Sequence, residues 1–183
     1  VKKMVGLHQF MNWPHPILTD SGGFQVHSLS PRISEEGVSF ISHLDGSTHF
    51  LTPEKSIQIQ IDLGADIIMA FDECTPTTNK AYTKAAMLRT HRWLIRCIKE
   101  WKKLRTAKPP VLYGIIQGGK YKDLRREAAK FVVDQDLQGI AIGGQSIGSN
   151  PSETAEVISW IRDMLPKAKP LYAMGVGVAP SHI

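Results

Sequence analysis

Cysteine is scarce: Cys74 and Cys97 are the only two among 183 residues. Two thiols so far apart exclude a disulfide framework and a cysteine-based zinc site, and they point to reduced thiols. Long apolar runs are missing as well. No stretch approaches the roughly 20 residues that a membrane helix needs. The opening Val1-Lys2-Lys3-Met4 lacks the apolar segment and small-residue cleavage site of a signal peptide. The expectation is a cytoplasmic protein with no membrane partner. A first residue that is not methionine suggests a piece of something longer. Acidic residues are in deficit, 17 against 22 Lys and Arg, and the net charge of +5 favours a polyanionic partner without naming one. No G-x-G-x-x-G stands between a strand and a helix, which counts against a dinucleotide-binding sheet.

What is present is ordinary soluble composition, 42% hydrophobic and 21% charged, enough for one domain with a sizeable core. Residues 17–20 read as a short buried strand. Residues 38–44 and 47–51 flank Asp45-Gly46, whose preference for positive backbone angles predicts a hairpin with a tight primed turn. Thr52-Pro53-Glu54 predicts a helix start, with a capping hydroxyl, proline at the first position and an acid at the positive end of the dipole; Gly64 ends it. Strands then alternate with amphipathic helices. Residues 66–71, 111–116, 139–142 and 171–174 are strand-like. Between them, residues 83–104 carry Leu94, Cys97, Ile98, Trp101 and Leu104 at helical spacing. A second helix faces inward with Leu124, Ala128, Phe131 and Val132, and a third, residues 152–165, with Ala155, Ile158, Ile161 and Leu165.

Continuous apolar strands separated by helices predict an α/β fold with a parallel sheet. An open doubly wound sheet and a (β/α)8 TIM-type barrel both fit, and the long segments after each strand favour the barrel. About five parallel strands can be read where closure needs eight. Residues 1–183 are therefore expected to be a single, partial barrel domain with an inserted β-hairpin.

Polar groups and glycines gather directly after the strands: Asp20-Ser21-Gly22-Gly23, Asp72-Glu73-Cys74, Gln117-Gly118-Gly119, Gly143-Gly144-Gln145-Ser146 and Met174-Gly175-Val176-Gly177. In a barrel these ends open onto one face, where barrel enzymes keep their sites. The first tetrapeptide resembles the surroundings of the nucleophilic serine in trypsin-like proteases. That reading fails on order and scaffold, since Ser21 comes almost first in an α/β pattern rather than after a His and an Asp in an all-β one. A carboxylate accepting two parallel N–H bonds, an amide donating to a carbonyl and glycines admitting a flat ring fit a guanine-like edge. Adenine would leave the carboxylate unpaired. Phe24 and Met174 could sandwich such a ring.

The stretches HQFMNWPHPILTDSGGFQV, SHLDGSTHFLTPEKSIQIQ, LGADIIMAFDECTP, GIIQGG, AIGG and YAMGVG resemble, in register through nearly the whole chain, the tRNA-guanine transglycosylases, also called queuine tRNA-ribosyltransferases. The resemblance implies a (β/α)8 barrel that exchanges guanine in the tRNA anticodon loop for a deazaguanine, without a consumed cofactor. It implies that Asp72 binds the base, that Gln117 and the Gly144 N–H face its carbonyl, and that Phe24 and Met174 stack on it. Asp20 matches an aspartate assigned base contacts and proton handling; Ser21 and Gly143 stand beside these positions. The family's nucleophile, in a later DMFDC stretch, and its structural zinc site of Cys and His are not among these residues. The 183-residue polypeptide is therefore expected to be inactive alone, and a homodimer is implied for the full-length protein. Cys74 within FDECTP resembles the bacterial form, which takes 7-aminomethyl-7-deazaguanine, and Ile147 points the same way. Gln145 stands where the family usually has Leu.

Other readings remain. Asp20-Ser21-Gly22-Gly23 also suits a turn, Asp72 a cap or ion pair, Gln117 a buried amide, and Cys74 and Met174 a core. His43, Asp45 and His49 read as solvent-facing turn residues rather than metal ligands. Lys99, Lys102, Lys103, Arg105 and Lys108 read as a solvated face. Two rival functions are a noncatalytic tRNA-binding partner subunit and a phosphate-binding barrel enzyme using the glycines at 143–144 and 175–177.

Overall fold

In the computed structural model, residues 3, 6–27, 29, 31–75, 79–104, 108–144 and 151–175 are described. The elements run α1 (Leu7–Met11), β1 (Leu18–Thr19), α2 (Gly23–His27), β2 (Arg32–Ile33), β3 (Val38–Ile41), β4 (Thr48–Leu51), α3 (Pro53–Leu63), β5 (Ile67–Met69), α4 (Lys80–Trp101), β6 (Val111–Ile116), α5 (Lys122–Val133), β7 (Gly139–Ile142), α6 (Pro151–Ser159), a 3₁₀ turn (Arg162–Met164) and β8 (Leu171–Ala173).

Five strands form one sheet in the order β1-β5-β6-β7-β8, and the pairs β1–β5, β6–β7 and β7–β8 are parallel. A doubly wound sheet reverses its strand order at a switch point, whereas a barrel adds each new strand beside the last. The order here is sequential, as in an incomplete (β/α)8 TIM-type barrel. Leu112 to Ile116 are all buried, the signature of a parallel strand covered on both faces.

The chain divides into two compact units, residues up to Glu73 with Arg92–Leu112, and Cys74–His91 with residues from Tyr113 onward. The core of the first contains Ile57, Ile68, Met69, Phe71, Trp93, Leu94 and Cys97, with Phe71 and Trp93 stacked at 4.9 Å. The second is built on Met87, Ile115, Ile116, Leu124, Ala128, Val132, Ile140 and Ile161. Each such aliphatic side chain contributes roughly 1.5–3 kcal/mol on full burial.

Helix α3 begins and ends where local chemistry dictates. The Thr52 hydroxyl accepts from Lys55 N at 3.2 Å, Pro53 holds the first position, and Gly64 closes the helix in a left-handed conformation (φ 71°) that side chains disfavour.

The expected hairpin is present as β3–β4, and β2 extends it to a three-stranded antiparallel sheet, because Ser34–Gly37 form a second turn that pairs Arg32 with Ser39. Two expectations need correction. The connection at Asp45-Gly46 is not a two-residue primed turn. Ser42 N bonds to Ser47 O and Gly46 N to Ser42 O, leaving a four-residue loop with Gly46 at φ 71°. Helix α6 stops at Ser159, and its buried side is Thr154 and Val157, followed by Ile161 and Leu165; Ala155 is exposed and Ile158 half-buried. The apolar stripe assigned from the sequence was rotated by one residue, since a buried threonine substitutes for an apolar group there.

Candidate base-binding site

In the first unit, β1 and β5 deliver the two acids that the sequence singles out. Asp20 is exposed at the tip of β1, and Asp72, 7% exposed, follows β5 by three residues. Ser21 is not poised for attack on a substrate. Its hydroxyl donates to Asp72 Oδ1 at 3.1 Å and accepts from Gly23 N at 3.2 Å, so it orients the carboxylate. Gly23 is required by proximity: a Cβ there would stand 2.5 Å from Asp72 O and 2.7 Å from its Oδ1. Phe24, the second residue of α2, is 45% exposed.

A buried polar chain holds this corner from behind. Ser56 donates to Ser21 O at 2.6 Å, and the Gln60 amide donates to Met69 O at 2.9 Å while its oxygen accepts from Met69 N at 2.9 Å and Thr19 Oγ1 at 3.1 Å. One amide on α3 therefore ties β1 to β5. Sequence reasoning missed Ser56 and Gln60, although two polar residues four apart on a helix's inward face are a legible signal. Cys97 anchors the strand end further, with Sγ accepting from Phe71 N at 3.3 Å; burial pushes its thiol up to about 12.

In the second unit, the backbone ladder sets Gln117, Gly143 and Met174 side by side. Gly143 N donates to Ile116 O at 3.1 Å and Met174 N to Ile142 O at 3.0 Å. Gln117 is buried, Met174 and Cys74 half-buried. The Gln117 amide lies against the glycines: a Cβ on Gly143 would meet its Nε2 at 3.1 Å and Met174 Sδ at 3.5 Å, and one on Gly144 would meet its Oε1 at 2.1 Å. Any larger residue at either position would displace the amide. Gln145, Ile147, Val176 and Gly177 lie outside the described residues, as does Arg105 of the basic run.

The family model for queuine tRNA-ribosyltransferase (TGT) matches residues 1–183. The chain belongs to the queuine tRNA-ribosyltransferase family. Among its relatives, the queuine tRNA-ribosyltransferase of Herpetosiphon aurantiacus is 57% identical over 180 residues, covering 97% of this chain and 45% of the relative. That of Halothermothrix orenii is 53% identical over 181 residues, 97% and 47% respectively. That of Clostridium tetani is 50% identical over 191 residues, 100% of this chain and 50% of its own. The chain thus spans about half the length of these ribosyltransferase relatives.

The structural zinc that the family resemblance implies finds no fitting donor set: among the described residues no three His, Cys, Asp or Glu side chains group as a metal site. Asp45 and His49, in particular, are engaged within their own loop. The hydroxyls of Ser42 and Ser47 hold the Asp45 carboxyl down at about 2, and Ser47 Oγ sits 2.7 Å from His49 Nε2. No described helix is long and apolar enough to cross a membrane.

Proposed function

We propose that the full-length protein is a cytoplasmic tRNA-guanine transglycosylase of queuosine synthesis, exchanging a guanine in the tRNA anticodon loop for 7-aminomethyl-7-deazaguanine. In this reading the Asp72 carboxylate accepts the paired N–H donors of the base, and Gln117 Nε2 and the Gly144 N–H donate to its carbonyl oxygen. Phe24 and Met174 supply apolar faces for the ring, and Asp20 contacts the base and moves its proton. An aspartate beyond these residues attacks the anomeric carbon and guanine departs. The incoming base then attacks the same carbon, loses its ring proton to a carboxylate and releases the aspartate. The net charge of +5 suits tRNA as partner.

The observation that carries the reading is the buried Ser21–Asp72 hydrogen bond at 3.1 Å, kept clear of any side chain by Gly23. It supports a carboxylate held for ligand N–H groups and speaks against a noncatalytic partner subunit, which has no use for it. In the full-length protein, Asp72→Ala is expected to lower kcat/KM for guanine exchange into tRNA by about a hundredfold or more, since a buried charge-assisted contact is lost. Radiolabelled guanine incorporation measures it, and retained activity would remove Asp72 from this role.

A further inference from the structure

Arg125 is a cation where an amphipathic helix calls for an apolar residue. It lies on the inward stripe of α5 with Leu124, Ala128, Ala129 and Val132, at 0% exposure. Its described hydrogen-bond partners are all main-chain carbonyls: Nε donates to Gly119 O at 2.8 Å, and Nη1 to Ile116 O at 3.1 Å and Gly143 O at 2.7 Å. Nη2 has no acceptor among the described residues. Burial draws the guanidinium down to about 10, which leaves it charged at neutral pH. Stability alone explains such a residue poorly, because a buried charge with an unmet donor is disfavoured relative to an apolar side chain of similar size.

The three bonds have a geometric effect. Two of the carbonyls flank Gln117, and the third belongs to Gly143, against which the Gln117 amide rests. In a trans peptide the C=O and the following N–H point in opposite directions, and none of the peptide bonds is cis. With Gly143 O turned onto Arg125, the Gly144 N–H is turned away from the arginine.

We propose that Arg125 is a positioning residue, whose planar fork locks the Gln117 loop and the Gly143–Gly144 peptide into one preformed donor edge for the carbonyl oxygen of a flat oxo-heterocycle. The inference rests on the base-exchange reading above. Arg125 touches no base itself; it fixes donors so that they need no reorganisation on binding. Lysine cannot replace it, since a single ammonium lacks the fork that reaches three carbonyls at once.

The test compares guanine with 2-aminopurine, which is guanine without the 6-oxo group, as ligands of the full-length protein and of its Arg125→Lys and Arg125→Gln variants. The wild type is expected to prefer guanine. In the variants guanine affinity should fall about tenfold, the loss of roughly one hydrogen bond, while 2-aminopurine affinity stays unchanged. A parallel fall for both bases, or an unaltered preference, overturns the role of Arg125 and leaves the base-exchange reading standing. A wild type that does not distinguish the two bases overturns that reading and this inference with it. Should the variants not fold, guanidinium proton exchange in the wild type decides. Slow exchange of the Arg125 Nε proton without base supports a preformed edge, and exchange at the rate of a solvent-exposed arginine overturns it.

Discussion

At the scale of single residues, His8 shows how hydrogen-bond geometry fixes a protonation state. Its Nδ1 is 2.8 Å from Trp13 O and its Nε2 3.0 Å from Asp66 Oδ2, so both ring nitrogens face acceptors. Only the imidazolium can donate twice. The Trp13 carbonyl first, and the Asp66 carboxylate after it, raise the His8 pKa above its ordinary 6.5. The contribution to stability is therefore complete below the unfolded value and is lost as pH rises through the folded one. An imidazole NMR titration should return a midpoint above 6.5 and Asp66→Asn should lower it; a midpoint unmoved by Asp66→Asn would refute the pairing. The same acid also accepts Ile17 N at 2.8 Å, next to β1. Residue identities alone single out Asp20, Asp72, Gln117 and the glycines as candidates, because acids, amides and glycines after apolar strands stand out. They gave no sign that Ser21 serves Asp72, which lies 51 residues away. Arg125 carried a visible signal, a cation within an apolar stripe, that only its carbonyl partners make interpretable.

At the scale of elements, legibility follows how local the determinants are. Strands β6 and β7 fall on the residues that their apolar runs mark, and both ends of α3 follow from Thr52, Pro53 and Gly64. Strand β2 is hidden because its two residues are too few to show an alternation, although the Ser34–Gly37 turn beside it is local. Its turn is held by α4: Arg92 grips the Glu35 carboxylate in two bonds, Trp93 Nε1 and Arg96 Nη1 donate to Glu35 O, and Arg96 Nη2 donates to Glu36 O, all across 57 to 61 residues. Helix α3 carries Ser56 and Gln60, so its capping bears on the site as well as on stability. Thr52→Ala is expected to cost about 1 kcal/mol, as other lost N-caps do. Urea unfolding of the full-length protein measures this, and Thr52→Ser should recover most of it; equal destabilisation by both variants would contradict the cap.

At the scale of the whole molecule, alternating strands and helices made the α/β barrel class readable, since burial on both faces leaves an unbroken apolar run. The division into two units was not readable, because α4 and β6 each contribute residues to both. Five strands in sequential order are fewer than the eight that a closed barrel needs. The chain spans about half the length of its relatives, with no DMFDC stretch among its residues. The 183-residue polypeptide on its own is accordingly expected to incorporate no labelled guanine into tRNA, and turnover by it would place the nucleophile among these residues.

The contrast between the two thiols has a practical consequence. Cys97 is sealed at 0% exposure with its thiol pushed up to about 12, whereas Cys74 is half-buried. A maleimide dye would thus find a single attachment point among the described cysteines. That point follows Asp72 by two residues in the chain, where fluorescence could report occupancy without any engineered cysteine.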